Sequence, residues 1–281
     1  MNPGTTASVT ERAPRNPQQN PLLATRWVES TGKPSLTARF SMAILAWAER
    51  LNIKYSKFGN PAVYDNSVFP WVAEIEDHWR EIRAEMDRVL RRKEDLASFQ
   101  DIATDLSDLT QDRGWKVFMF TGYGPNCKSN IRQCPETWRL LQKIPGLTTA
   151  LYSILEPDKW LPPHRGPYNG VLRLHLGLLV PKRPADIAIR VDSRIYHWEE
   201  GKALVFDDSF EHEAWNRSKE PRVNLFVDFR RPLKFPANMM NWLLLHLAAL
   251  TPYIRESKAN HRKWERGFYR DSEKKIGRAL S

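Results

Sequence analysis

The chain has 281 residues, with 43 Lys and Arg against 33 Asp and Glu, a formal excess of +10. Its hydrophobic content of 41 % and aromatic content of 11 % exclude a wholly disordered chain and suit one large domain with appendages. The cationic balance favours an anionic partner (nucleic acid, an acidic membrane face, or a carboxylate- or phosphate-bearing substrate) and by itself selects none of them.

Residues 1–34 are rich in Pro, Asn, Gln and Thr and read as a disordered tail. From Ser35 to Lys54 the composition turns apolar, with Leu36, Phe40, Ile44, Leu45, Trp47 and Leu51 predicting a helix that Gly59-Asn60-Pro61 closes. A second helix follows. Trp71, Ile75, Trp79, Ile82, Met86, Val89 and Leu90 recur at steps of three and four, one apolar face on a 3.6-residue period. The charges between them read as a solvated face.

Beyond residue 114 the period changes to two. Short runs at 115–120, 151–155, 171–179, 187–191, 194–198, 203–206 and 223–229 are separated by Gly, Pro, Asp or Asn. Such spacing predicts a sandwich or jelly roll, with no internal repeat. Cys127 and Cys134 fall in a Pro/Asn/Ser-rich loop where a bridge is possible but unneeded; two cysteines exclude a disulfide scaffold and any Cys-built zinc site. After Pro232, the apolar stretch 239–250 is too short to span a bilayer comfortably and either packs on the domain or lies in a membrane interface beside its many Lys and Arg. No secretory signal is visible, so the simplest address is cytoplasmic.

The chemistry concentrates in a few segments. In a strand over Gly170–Leu178, Leu172, Leu174, Leu176 and Leu178 form one wall while Arg173 and His175 project together from the other, with open space at Gly177. The bland reading is an exposed polar face; a buried Arg–His pair instead requires an anion between them. Upstream, His164 sits in a rigid loop containing Pro162 and Pro163; downstream, a polar loop carries His212, and Arg222 opens another alternating strand. Two histidines at the ends of core strands suit a mononuclear metal, because neutral imidazole is a common ligand of divalent iron and its neighbours.

Taken in order, Gly114-Trp115-Lys116, Tyr152-Ser153-Ile154, His164-Arg165-Gly166-Pro167, Leu172 to Leu178, Trp198-Glu199-Glu200-Gly201, Phe206 to Glu213 and Arg222 resemble the aspartyl/asparaginyl β-hydroxylase family of Fe(II)- and 2-oxoglutarate-dependent dioxygenases. The resemblance implies a mainly β chain: a double-stranded β-helix (a cupin-like jelly roll) over 114–233, a helical region at 35–113, and an apolar helix with a basic tail at 234–281. It implies His164 and His212 as the iron ligands and Arg222, aided by Ser153, as the partner of the distal carboxylate of 2-oxoglutarate. Arg173 and His175 would contact its metal-proximal end. The physics agrees, since a dianionic diacid needs a positive group at each end and arginine's fork matches a carboxylate. One departure is Gly166, which stands where most enzymes of this chemistry carry an acid, two residues after the first histidine. The protein-modifying members of the family also carry glycine there, so the resemblance implies a two-histidine iron with water in the third place. The alternative is a carboxylate ligand from Asp207 or Asp208, the nearest acids, which otherwise read as outer-shell or turn residues.

The implied reaction uses O2 and 2-oxoglutarate to hydroxylate an unactivated C–H bond, releasing succinate and CO2. Cys134-Pro135-Glu136-Thr137, Leu140-Leu141, Ile144-Pro145 and the Pro167-Tyr168 and Gly170 context look closer to the bacterial lipid A hydroxylases than to the protein-modifying branch, and no helical repeat domain accompanies them. The expected substrate is therefore a membrane-lipid acyl chain, of lipid A or ornithine-lipid type, with peripheral contact to the acidic inner face of the cytoplasmic membrane. The alternatives are a β-hydroxylase of Asp or Asn in a protein or peptide and, more distantly, a non-catalytic jelly-roll binder of an anionic ligand. No specific nucleic-acid motif appears.

Overall fold

A computed structural model describes residues 9–12, 36–102, 110, 112–122, 126–250 and 252–279. Two antiparallel sheets face each other. The larger has seven strands in the order β2-β10-β7-β12-β5-β4-β3 and the smaller five in the order β1-β9-β8-β11-β6. Their ranges are β1 (Val9–Arg12), β2 (Val63–Tyr64), β3 (Ala97–Ser98), β4 (Trp115–Gly122), β5 (Leu147–Leu155) and β6 (Lys159–His164). Then come β7 (Val171–Leu179), β8 (Ile187–Val191), β9 (Arg194–Tyr196), β10 (Ala203–Phe206), β11 (His212–Asn216) and β12 (Arg222–Arg230). Helices α1 (Leu36–Lys54), α2 (Trp71–Asp77), α3 (Trp79–Leu90) and α4 (Phe99–Ile102) precede the central strands, α5 (Lys128–Gln133) and α6 (Pro135–Leu141) interrupt them, and α7 (Ala237–Ala248) and α8 (Pro252–Ala279) follow. This is the jelly roll that the alternation predicted and the cupin-like core that the resemblance implied, with flanking helices at both ends. Apart from β1, which pairs with β9, the segment read as a disordered tail lies outside the described residues.

The period-two pattern of β7 decides the layering. Leu172, Leu174, Leu176 and Leu178 are fully buried in one apolar core with Val72, Ile75, Ile82, Met86 and Val89, so the leucine wall faces the helices. The opposite faces enclose a second core, in which Trp115, Leu155, Trp198, Leu204 and Phe206 meet Leu161, Ile189, Val191 and Ala214 across the two sheets. Arg173 and His175 therefore point between the sheets, and the exposed-face reading of this pair is overturned. The space expected at Gly177 is also filled. A Cβ there would meet the Glu199 carbonyl, and Gly177 N and O bond to Lys202 O and Gly201 N at 3.1 and 2.8 Å.

Several local expectations change for identifiable reasons. The single amphipathic helix over 71–90 is two helices, because His78 adopts φ −102°, ψ 19° and its Nδ1 bonds to Glu74 O at 2.9 Å, competing with the helical ladder. The segment holding His164 is a strand, not a rigid loop. Pro162 and Pro163 are tolerated because β6 is the outermost strand of its sheet and needs no donor on that side. His212 likewise opens β11. The stretch between Cys127 and Cys134 is the α5 helix, and both thiols are buried and free. The basic tail is the helix α8.

Behind the site, Arg231 is buried and donates from Nη1 to Asn60 Oδ1 and Tyr64 OH, both at 3.0 Å, and from Nε to Asn169 O at 2.7 Å. Its Nη2 pairs with the buried carboxylate of Asp207. Replacing Arg231 with Met strands that carboxylate, and the expected loss is about 3–5 kcal/mol of unfolding free energy. Urea titration followed by tryptophan fluorescence checks this; a loss below about 1 kcal/mol would contradict the pairing.

Candidate active site

His164 ends β6 and His212 begins β11, and the two are direct partners in the antiparallel register. Their rings lie 4.1 Å apart, centroid to centroid. His164 Nδ1 is 2.7 Å from Pro162 O, and His212 Nδ1 is 2.9 Å from Phe210 O. A carbonyl only accepts, so each Nδ1 carries the proton and each Nε2 carries the lone pair. Burial, then the neighbouring His164 and Arg173, hold the pKa of His212 well below its ordinary value and keep the ring neutral. The result is a pair of imidazoles each anchored through Nδ1 to a backbone carbonyl, with His212 held neutral, the donor chemistry of a divalent transition metal.

Arg222 begins β12 and is 2 % exposed. No carboxylate pairs with it among the described residues, and its Nε has no hydrogen-bond partner. Its guanidinium stacks on Trp198, 4.3 Å from the ring centroid. With the Asn224 amide oxygen turned inward, that oxygen accepts from Arg222 Nη1 at 3.0 Å and Trp198 Nε1 at 3.1 Å. Burial pulls the Arg222 pKa down to about 9, still protonated at neutral pH. Ser153 lies diagonal to it on β5, opposite Asn224, and its hydroxyl accepts from Trp115 Nε1 at 3.0 Å.

Between the arginine and the histidines stands His175. Its ring is 6.0 Å from Trp198, 5.1 Å from Phe206 and 5.2 Å from Phe226, while Phe206 is 5.6 Å from His212. Both ring nitrogens are buried and unpartnered. Burial, reinforced by Arg222 and Arg173, holds its pKa well below the ordinary value. Arg173, expected to contact the metal-proximal end of the co-substrate, is paired with two acids. Asp228 receives Nε at 2.8 Å and Nη2 at 3.1 Å, and Asp208 Oδ2 lies 2.9 Å from Nη2. Its charge is balanced within the chain.

Gly166 completes the geometry. A Cβ at this position would overlap the Asp208 carboxyl group, which fills the volume a side chain would need. Gly166 N also donates to Asp208 O at 2.8 Å. Desolvation, opposed by Arg173, raises the Asp208 pKa to about 7. Among the described residues no three His, Cys, Asp or Glu side chains gather around one metal position. Two histidines are what the described residues bring together at this place.

With this geometry in hand, the comparisons with known proteins decide the family. The aspartyl/asparaginyl beta-hydroxylase model matches residues 76–232. The chain belongs to that family. It is also similar to an ornithine lipid ester-linked acyl 2-hydroxylase of Rhizobium tropici, 53 % identical over 259 residues and 92 % of each chain. The human aspartyl/asparaginyl beta-hydroxylase is 34 % identical over 166 residues, which is 57 % of this chain but 21 % of that longer protein. A crystal structure of a Pseudomonas putida prolyl-4-hydroxylase overlaps 57 % of this chain and 98 % of its own at 18 % identity and a TM-score of 0.36. The Rhizobium relative carries an ornithine-lipid name, so the resemblance holds for the family and does not favour a lipid A branch in particular.

For this β-hydroxylase family member, the residues present fit an iron and a dicarboxylate. Two lone-pair imidazoles could hold the metal, and the uncompensated Arg222 could take an anion. Sequence reasoning missed Asp228, Asn224 and the Asp207–Arg231 pair. The signal existed in part: on a strand, Arg222, Asn224, Phe226 and Asp228 share a face, and that face is the inner one.

The depressed His175 pKa gives a testable sign. Below about pH 6.5 the unfolded chain protonates this imidazole and the folded chain does not, so its contribution to stability rises with pH up to that value and is flat above it. The difference in unfolding free energy between the wild type and His175→Phe should therefore grow by up to about 1.4 kcal/mol per pH unit between pH 5 and 6. A difference independent of pH would show that His175 is not held neutral.

Proposed function

We propose that this chain is an Fe(II)- and 2-oxoglutarate-dependent hydroxylase of the acyl chain of a membrane lipid, of ornithine-lipid type. The observation that carries the reaction class is the buried, unbalanced Arg222 facing the same intersheet space as the His164–His212 pair. A guanidinium without a counter-charge is costly in such a place, and a bound carboxylate removes the cost. Similarity over 92 % of each chain to the Rhizobium ornithine-lipid hydroxylase supports the lipid class over a peptide.

In this reading His164 and His212 would hold the iron, with the Nδ1–H bonds to Pro162 O and Phe210 O fixing each ring. When bound, iron with 2-oxoglutarate and O2 supplies the oxidising power that replaces C–H by C–OH, with succinate and CO2 as co-products. Arg222 binds the far carboxylate of 2-oxoglutarate as a fork, flanked by Ser153, while Trp198 covers the guanidinium and excludes water. His175 stays neutral and would contact the metal-proximal end of the co-substrate without adding charge there. Arg173, locked by Asp228, holds Asp208 against Gly166 and so keeps that carboxyl group beside the first histidine's strand.

His164→Ala and His212→Ala should abolish 2-oxoglutarate turnover while the fold survives, judged by circular dichroism. Arg222→Ala should raise the 2-oxoglutarate requirement on the order of 30-fold or more, the cost of removing one partner of a buried charged contact. Full turnover in the His212 variant would overturn the iron assignment. Membrane lipids from cells with and without the chain, compared by mass spectrometry, should differ by one added oxygen on an acyl chain. An unchanged lipid profile alongside hydroxylated Asp or Asn residues would move the substrate to proteins.

A further inference from the structure

No helix among the described residues is long and apolar enough to cross a membrane. Two helices nevertheless show apolar side chains to water. On α1, Phe40, Ile44 and Trp47 recur at steps of four and three on one stripe. On α7, Met239, Trp242, Leu243 and Leu247 do the same, and Leu250 extends the stripe one turn beyond. All eight are 37–69 % exposed. The two helices pack side by side, with Leu45 and Ala48 of one and Met240, Leu244 and Leu245 of the other closing over Tyr168 and Val171. Large apolar groups clustered on a surface in this way mark an interaction site, and tryptophan is the residue most at home between water and hydrocarbon.

The charges identify what covers the patch. From Arg39 to Lys57 the exposed ionised residues are Arg39, Arg50, Lys54 and Lys57, and the one acid in that stretch, Glu49, is buried. From Lys234 to Leu250 the sequence contains no acid at all. A second copy of the chain would bring an equally cationic face and be repelled. An anionic bilayer matches both the apolar stripes and the cationic surround.

We propose that the α1–α7 pair is a docking surface for an anionic lipid bilayer. The pair is tied to the catalytic strands. Asn52 Nδ2 donates to Tyr168 OH at 3.0 Å and Asn169 Oδ1 at 2.9 Å, Asn169 Nδ2 donates to Glu49 O at 3.1 Å, and Asn241 Nδ2 donates to Gly170 O at 2.7 Å. The segment so clamped begins four residues after His164. Docking thus fixes the orientation of the β6–β7 connection relative to the bilayer from which an acyl chain would be drawn. The choice of a bilayer as occupant rests on the lipid-hydroxylase reading, but docking is measured without turnover.

The test is flotation of the full chain with vesicles of pure phosphatidylcholine and of phosphatidylcholine with phosphatidylglycerol. The chain should float with the anionic vesicles and release as salt is raised. Trp242→Glu with Leu247→Glu should weaken this partition at least tenfold, and Arg50→Glu with Lys54→Glu should remove the preference for anionic vesicles. Both double variants should keep wild-type turnover on a detergent-dispersed lipid and lose it on vesicles. Absence of flotation, or flotation untouched by both double variants, would overturn the proposal. So would a chain that sediments as a dimer in the wild type and as a monomer in the Trp242/Leu247 variant. Turnover on dispersed lipid without vesicle binding would sink docking and leave the hydroxylase reading intact; vesicle binding with no lipid oxidation would do the reverse.

Discussion

The structure is organised around a positive charge that none of the described residues neutralises. Arg222 is buried between two sheets against an aromatic face and an amide oxygen, and no carboxylate among the described residues pairs with it. The other two arginines of this region have their acids: the half-buried Arg173 has Asp228 and Asp208, and the buried Arg231 has Asp207. The contrast is informative because a chain able to supply carboxylates on adjacent strands has supplied none here. In the proposed function this open charge takes an anion, and a chain of ring contacts through Trp198, His175 and Phe206 connects it to His212.

That arrangement needs a rigid frame. The outer leucine face of β7 is locked under α2 and α3, so the inner face has no freedom to turn Arg173 or His175 outward. The histidine pair depends on the β6–β11 pairing and on two backbone carbonyls that fix its tautomers. Glycine at 166 follows from packing, since the Asp208 carboxyl group occupies the volume beside it. The acid that many enzymes of this chemistry carry on the first histidine's strand therefore has no room here. A carboxyl group reaches the same neighbourhood from the loop before β11.

Much of this was legible in the sequence because it follows from period and order. The alternation over 171–178 gave the correct face to Arg173 and His175, and the ordered motifs identified His164, His212 and Arg222 as one constellation. What was illegible depends on register. Asp228 faces Arg173 only because β12 pairs with β7 in one particular alignment, and nothing local in the sequence states that alignment. The His164 segment read as a loop because two prolines argue against a central strand, and only its position at the sheet edge makes them acceptable. The space expected at Gly177 vanished because a turn some twenty residues away folds back onto it.

The most direct test of the account is anaerobic binding of 2-oxoglutarate to the chain loaded with Fe(II), followed calorimetrically. One equivalent should bind, with affinity that depends on both the metal and Arg222: omission of iron, His212→Ala and Arg222→Leu should each weaken it at least tenfold, while glutarate, the same five-carbon diacid without the keto oxygen, should show a weaker dependence on the metal. Binding that is indifferent to iron and to Arg222 would contradict the assignment of this intersheet space as the co-substrate site.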